Sequence, residues 1–135
     1  MAFTSQRKVS DSEIDALDIV FFPHYVYWAA EFFLTYLRHE GIATRSIAGG
    51  YEIRVVGVKA NYKSSARRGA AVDISVNRVA FNRPLIEIIV GMAVHGKTVA
   101  KIKLSVAYVD CSTNELIDIP DDVIAILQRT ALYHE

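Results

Sequence analysis

The sequence has one cysteine, Cys111. It can build no disulfide framework and no cysteine-based zinc site, and a reducing, cytoplasmic setting is expected. An excess of either charge is also missing, since Lys+Arg and Asp+Glu each count 15. Broad electrostatic binding to nucleic acid needs a basic excess or a basic face, so no nucleic-acid partner is expected. A net charge of zero leaves the surface prone to self-association. Long apolar runs are absent. The longest, Leu85 to Val94, is interrupted by Glu87 and is too short to cross a bilayer, so no membrane partner is expected. The first residues carry Arg7 and Lys8 with no apolar stretch behind them and do not read as a signal peptide. The histidines His24, His39, His95 and His134 are not spaced as ligands. No metal and no cofactor are expected.

What is present suits a folded chain. Its 135 residues are 52% hydrophobic and 22% charged. That is enough to bury a core without staples, and it is the size of one domain, residues 1–135. From Pro23 to Glu40 the pattern predicts a helix. Tyr25, Trp28, Ala29, Phe32, Phe33, Tyr36 and Leu37 recur at helical spacing and form a wide apolar stripe. Pro23 suits the first turn, Arg38 and His39 suit the last, and Gly41 suits the stop. The acidic stretch before this helix, from Asp11 to Asp18, reads as a loop, and residues 4–10 read as a short polar strand.

Beyond the helix the period changes to two. Tyr51, Ile53 and Val55, then Val58, Ala60 and Tyr62 past a bulge near Gly57, alternate with polar residues. So do Val72, Ile74 and Val76, and later Ile102, Leu104, Val106 and Tyr108. Leu85 to Val94 reads as a central strand covered on both faces. Ser64 to Gly69, Asn82-Arg83-Pro84, His95-Gly96-Lys97 and Ser112-Thr113-Asn114 read as turns, and Pro120-Asp121-Asp122 opens a short final helix. The sum is an α+β layer architecture, a long apolar helix packed across a curved antiparallel sheet.

Chemistry concentrates in the segment Glu13-Ile14-Asp15-Ala16-Leu17-Asp18-Ile19-Val20-Phe21-Phe22-Pro23-His24-Tyr25-Val26-Tyr27-Trp28. Three carboxylates precede an aromatic helix. The free N–H groups of a helix N-terminus can polarise a carbonyl oxygen, and a carboxylate beside them can act as nucleophile or general base. Acids in this position also simply cap helices, and spacing alone does not separate the two readings.

The segment resembles the opening motif of the hot-dog-fold acyl-CoA thioesterases, in the 4-hydroxybenzoyl-CoA thioesterase and YbgC-like branch. In that motif a first acid, a catalytic aspartate and a glycine precede an apolar entry into an aromatic helix. Asp15 falls on the catalytic aspartate, Ile19 to Pro23 on the apolar entry, and Tyr25 and Trp28 on the aromatic helix positions. The resemblance implies the hot-dog fold and hydrolysis of an acyl- or aryl-CoA thioester to free acid and CoA. It implies Asp15 as nucleophile or general base, with a backbone N–H at Phe22 polarising the carbonyl. Of the candidate substrate contacts, His24 reads as a first-turn surface histidine or a site-lining donor, Tyr25 and Trp28 as core residues or walls of an acyl pocket, and Glu31 as a solvated helix residue or a site residue. Glu31 is also a rival catalyst, because another hot-dog branch carries its acid about two turns into this helix. Arg78 and Arg83 flank the region where related enzymes hold the CoA phosphates, although solvated charge explains such residues equally well, as it does Arg67, Arg68, Lys101 and Lys103. The site would lie at the interface of a homodimer, and such dimers often pair into tetramers.

The chain departs from the motif at named positions. Glu13 is the first acid, Asp18 stands where glycine is usual, Phe22 where histidine often stands, His24 where asparagine is usual, and Tyr27 where arginine sometimes occurs. These departures keep other readings open: a non-catalytic module binding acyl-CoA or an acyl carrier protein, or an acyl-carrier-protein thioesterase. A hot-dog hydratase or dehydratase lacks support in the flanking residues.

Overall fold

The computed structural model describes residues 3–44 and 50–130. His134 lies outside them. In chain order the elements are β1 (Thr4–Lys8), a 3-10 turn (Asp11–Glu13), α1 (Pro23–His39), β2 (Tyr51–Tyr62), β3 (Ala71–Asn82), β4 (Leu85–Val94), β5 (Lys97–Asp110), β6 (Leu116–Ile117) and α2 (Asp121–Gln128). The strands form one antiparallel sheet in the order β1-β3-β4-β5-β2, with β6 added to β5. This is the hot-dog arrangement: α1 lies against the face of a curled sheet and meets β3 and β5.

The helix forms where its stripe predicts, and Tyr25, Trp28, Ala29, Phe32, Phe33, Tyr36 and Leu37 are all buried. Its stop is a Schellman motif. Gly41, at φ +80°, donates its N–H to the Arg38 carbonyl, and Ile42 donates to the Leu37 carbonyl at 2.9 Å. Opposite the helix the inward residues Ile86, Ile88 and Val90 of β4 and Ile102, Leu104, Val106 and Tyr108 of β5 are buried. At the end of the sheet, Val123 and Leu127 of α2 join the same core.

Two details differ from the sequence reading. β4 is central, yet only one of its faces is fully buried. Leu85, Glu87 and Ile89 on the other face are half-buried, because that side carries no helix layer, and Glu87 meets Lys103 at 2.7 Å there. The segment from Asp11 to Asp18 is more ordered than a plain loop. After the 3-10 turn it makes a narrow hairpin closed by an Ile14–Val20 bridge. The expected bulge in β2 appears as a register slip between Val55 and Gly57.

Candidate active site

The two motif acids, Glu13 and Asp15, part company in space. Glu13 is buried. Its Oε1 accepts the Ser10 N–H at 2.9 Å and the Ser10 hydroxyl at 3.0 Å. Its Oε2 accepts Trp28 Nε1–H at 2.8 Å and pairs with Arg7 Nη2 at 2.5 Å. The Arg7 guanidinium lies over the Trp28 ring, 4.5 Å from its centre. Burial pushes the Glu13 carboxyl up, but the Ser10, Trp28 and Arg7 donors outweigh it and hold the group down at about 2. Glu13 is therefore a charged rivet between β1, the 3-10 turn and α1.

Asp15 instead opens the hairpin turn. Its N–H donates to the Ile19 carbonyl at 2.8 Å, and its carbonyl accepts the Asp18 N–H at 3.1 Å. Its Oδ1 accepts the Leu17 N–H at 2.8 Å, an Asx turn that fixes the side chain. Asp18 takes up the left-handed conformation, φ +66°, that explains why glycine suits this position. Aspartate is one of the few other residues that tolerate it. The hairpin hangs on the loop after β2 through an Ile19–Arg67 bridge and the Val20 N–H on the Ala66 carbonyl at 2.9 Å.

An open cleft of about 460 Å³ lies where these segments meet. Asp15, Ser64 and Ser65 give it polar groups, while Ile19, Val20, Phe22, Tyr25 and Tyr62 make the remaining wall. Ser64 Oγ–H donates to the Thr98 carbonyl at 2.9 Å. The Tyr25 hydroxyl accepts the Ala66 N–H at 3.0 Å, tying α1 to the loop. Burial raises the Tyr25 phenol above its ordinary range, with the Ala66 N–H working the other way. Phe22 sits immediately before α1, at φ −52° and ψ −33°. The neighbouring Val20, Phe21, His24 and Tyr25 N–H groups are all engaged, and Pro23 has none. The Phe22 N–H has no acceptor among the described residues.

The structure thus brings Asp15, Phe22 and Tyr25 into one cleft. It places the other expected residues elsewhere in this chain. His24 stacks edge-on against Tyr27, ring centres 5.6 Å apart. The Trp28 ring is occupied by Glu13 and Arg7. Glu31 lines a separate cavity of about 320 Å³ with Phe3, Arg7 and Thr35, between β1 and α1. Arg78 lies on the solvent side of β3, beside Glu87 and Lys103. Arg83 pairs with Asp118 at 2.6 Å, past the end of β3 remote from Ala71. Tyr62, Ser64 and Ser65, at the end of β2 and in the turn after it, also line the cleft, which strand and turn patterning alone does not reveal. Their one signal is a serine pair one residue beyond the end of an alternating strand.

The fold and this cleft define a hot-dog protein with a carboxylate at the entry to its helix. The chain matches the thioesterase-like superfamily over residues 9–127 and belongs to that family, whose name assigns it to the thioester hydrolases. Among solved structures it is similar to a 1,4-dihydroxy-2-naphthoyl-CoA thioesterase from Synechocystis, at 13% identity and a TM-score of 0.83, covering 96% of this chain and 97% of that one. It is similar to a gentisyl-coenzyme A thioesterase at 18% identity and a TM-score of 0.79, covering 92% and 98%. A Staphylococcus aureus protein solved in complex with CoA gives 11% identity and a TM-score of 0.84, covering 95% and 82%. No curated protein matches the chain.

Proposed function

We propose that this protein hydrolyses the thioester of an acyl- or aryl-CoA to the free acid and CoA, with Asp15 as nucleophile or general base. The observation that carries this reading is that Asp15 and Phe22, whose N–H has no acceptor among the described residues, line one largely apolar cleft. The Phe22 N–H would donate to the carbonyl oxygen as negative charge develops on it. Two routes are open to Asp15. It attacks the carbonyl carbon, the C–S bond breaks, thiolate leaves, and water then cleaves the mixed anhydride. Alternatively it takes a proton from a water that attacks directly, and the thiolate leaves from the tetrahedral intermediate. In both routes water supplies the oxygen of the free acid and the proton taken up by the thiolate.

Aromatic rings at Phe22, Tyr25 and Tyr62 favour an aryl group, since edge-to-face contacts add to the burial they offer. The aryl-CoA names of two similar structures point the same way. A homodimer completes the proposal. β2 is a long edge strand that exposes Val55, Val56 and Val58, a surface that natural proteins rarely leave open. Antiparallel pairing of β2 with a second copy would carry the Arg83 end of one protomer toward the Asp15 cleft of the other, within reach of CoA phosphates.

The test is thiol release from short, medium, long and aromatic acyl-CoAs by the wild type and by Asp15→Asn. Release that disappears in the variant supports the reading, and the panel ranks the acyl groups. Undiminished turnover in the variant removes Asp15 from the chemistry. Binding without release by the wild type would make the chain a binding module.

A further inference from the structure

The turn that carries Asp15 is gripped at its tip by an ion pair, and we infer that this pair, Asp18 with Arg68, positions Asp15 for turnover. The inference rests on the reading of Asp15 given above. Asp18 Oδ1 accepts both Nε–H and Nη2–H of Arg68, at 2.9 and 2.6 Å. The Arg68 N–H points to the Asp18 carbonyl at 3.4 Å, and Arg68 Nη1 lies 3.7 Å from Asp11 Oδ1. One guanidinium therefore joins the 3-10 turn, the Asp15 hairpin and the loop that supplies Ser64 and Ser65.

Its place in the hairpin gives the pair its effect. The Ile19–Arg67 bridge and the Val20–Ala66 bond hold the stem of the hairpin, on the side entering α1. Apart from this pair, the long 3.4 Å Arg68 N–H bond to the Asp18 carbonyl is the one other hold on the tip from outside the hairpin among the described residues, since the Leu17 and Asp18 N–H groups both bond back to Asp15. Glycine would satisfy the left-handed φ at Asp18 more easily, but it would bring no carboxylate. Both partners are about half exposed, 54% for Arg68 and 53% for Asp18, so the pair adds little to global stability. A small displacement of a reacting carboxylate costs far more in rate than in stability. Asp18 and Arg68 are positioning residues, acting through Asp15.

The experiment measures steady-state hydrolysis of the best acyl-CoA substrate, with amide hydrogen exchange of the same proteins. Arg68→Gln is expected to lower kcat about tenfold and to change KM less than about twofold, with an unaltered Tm. Asp18→Gly should match it while keeping the turn backbone, and the double variant should be no worse than either single one. Arg68→Lys should recover part of the loss, because it restores charge without the two-pronged donor. Exchange at Leu17 and Asp18 should quicken in Arg68→Gln while the α1 amides stay protected. Wild-type kcat and wild-type exchange in all three single variants, alongside an inactive Asp15→Asn, would overturn the inference and leave the Asp15 reading intact. An active Asp15→Asn would instead overturn the Asp15 reading, and with it the assignment of these two residues to catalysis, whatever the exchange shows.

Discussion

Glu13 and Asp15 are two residues apart and carry the same functional group, yet they sit in opposite surroundings. Glu13 accepts four donors and is sealed under Arg7 and Trp28. Asp15 accepts one local N–H and faces a cleft. A carboxylate whose lone pairs are all occupied by the protein has nothing left for a substrate, whereas one held by a single bond is both oriented and available. The change of backbone between the two residues, from 3-10 turn to hairpin, causes the difference. Glu13 ends the 3-10 turn facing the helix, and the hairpin then carries Asp15 out past the Ile14–Val20 bridge.

The sharpest way to break this contrast is to neutralise each acid in turn. Asp15→Asn is expected to cut turnover by roughly a thousandfold or more, as loss of a group that acts only on the transition state does. Its stability should stay within about 0.5 kcal/mol, because the amide oxygen can still accept the Leu17 N–H. Next in size is the helix entry. Phe22→Pro should lower kcat by about 10²–10³-fold by deleting the Phe22 N–H, and φ −52° at this position already suits proline. Phe22→Ala keeps the N–H and should leave most of kcat in place, which separates the backbone group from the ring.

Glu13→Gln should act on stability instead, by about 3 kcal/mol, in urea melts near neutral pH. The Glu13 carboxyl lies lower in the folded protein, at about 2, than the ordinary 4.5. Its contribution is therefore complete above about pH 4.5 and is lost as pH falls toward 2. The wild type and Glu13→Gln should converge over that window, and parallel melts down to pH 2 would show that the rivet is not ionic. The smallest expected effect is at Tyr25→Phe, about 1 kcal/mol, from loss of the acceptor for the Ala66 N–H. Urea midpoints would measure it. A far larger loss would mean that the phenol also supports the cleft.

The helix was legible because every signal agreed on it: stripe, proline, glycine and terminal charge all coincide between Pro23 and Gly41. β2, β3 and β5 were legible from alternation. The partnering of β1 with β3 was not, because Thr4 to Lys8 is mostly exposed and carries no buried stripe to declare its neighbour. Within the site, Asp15 and Phe22 stood out through the resemblance, but their surroundings did not. The contacts that set Ser64, Ser65 and Tyr62 beside them run through backbone at Ile19, Val20, Ala66 and Arg67, where side-chain identity leaves no trace. Asp18 looked like a misfit in a tight turn. Its φ of +66° and its bond to Arg68 reconcile it with the position.

The seam between the Asp15 hairpin and the segment 66–70 also orders events in time. Val9 meets Ala70, Val20 meets Ala66, and β1 meets β3, so the N-terminal quarter of the molecule finds its place only against chain made much later. Closing such distant contacts is slow compared with winding α1 or pairing β4 with β5. Asp15 precedes the segment 66–70 and β3 along the chain, so its hairpin is expected to dock only after they have been made. The cleft is therefore expected to form later than α1 and the β4–β5 hairpin.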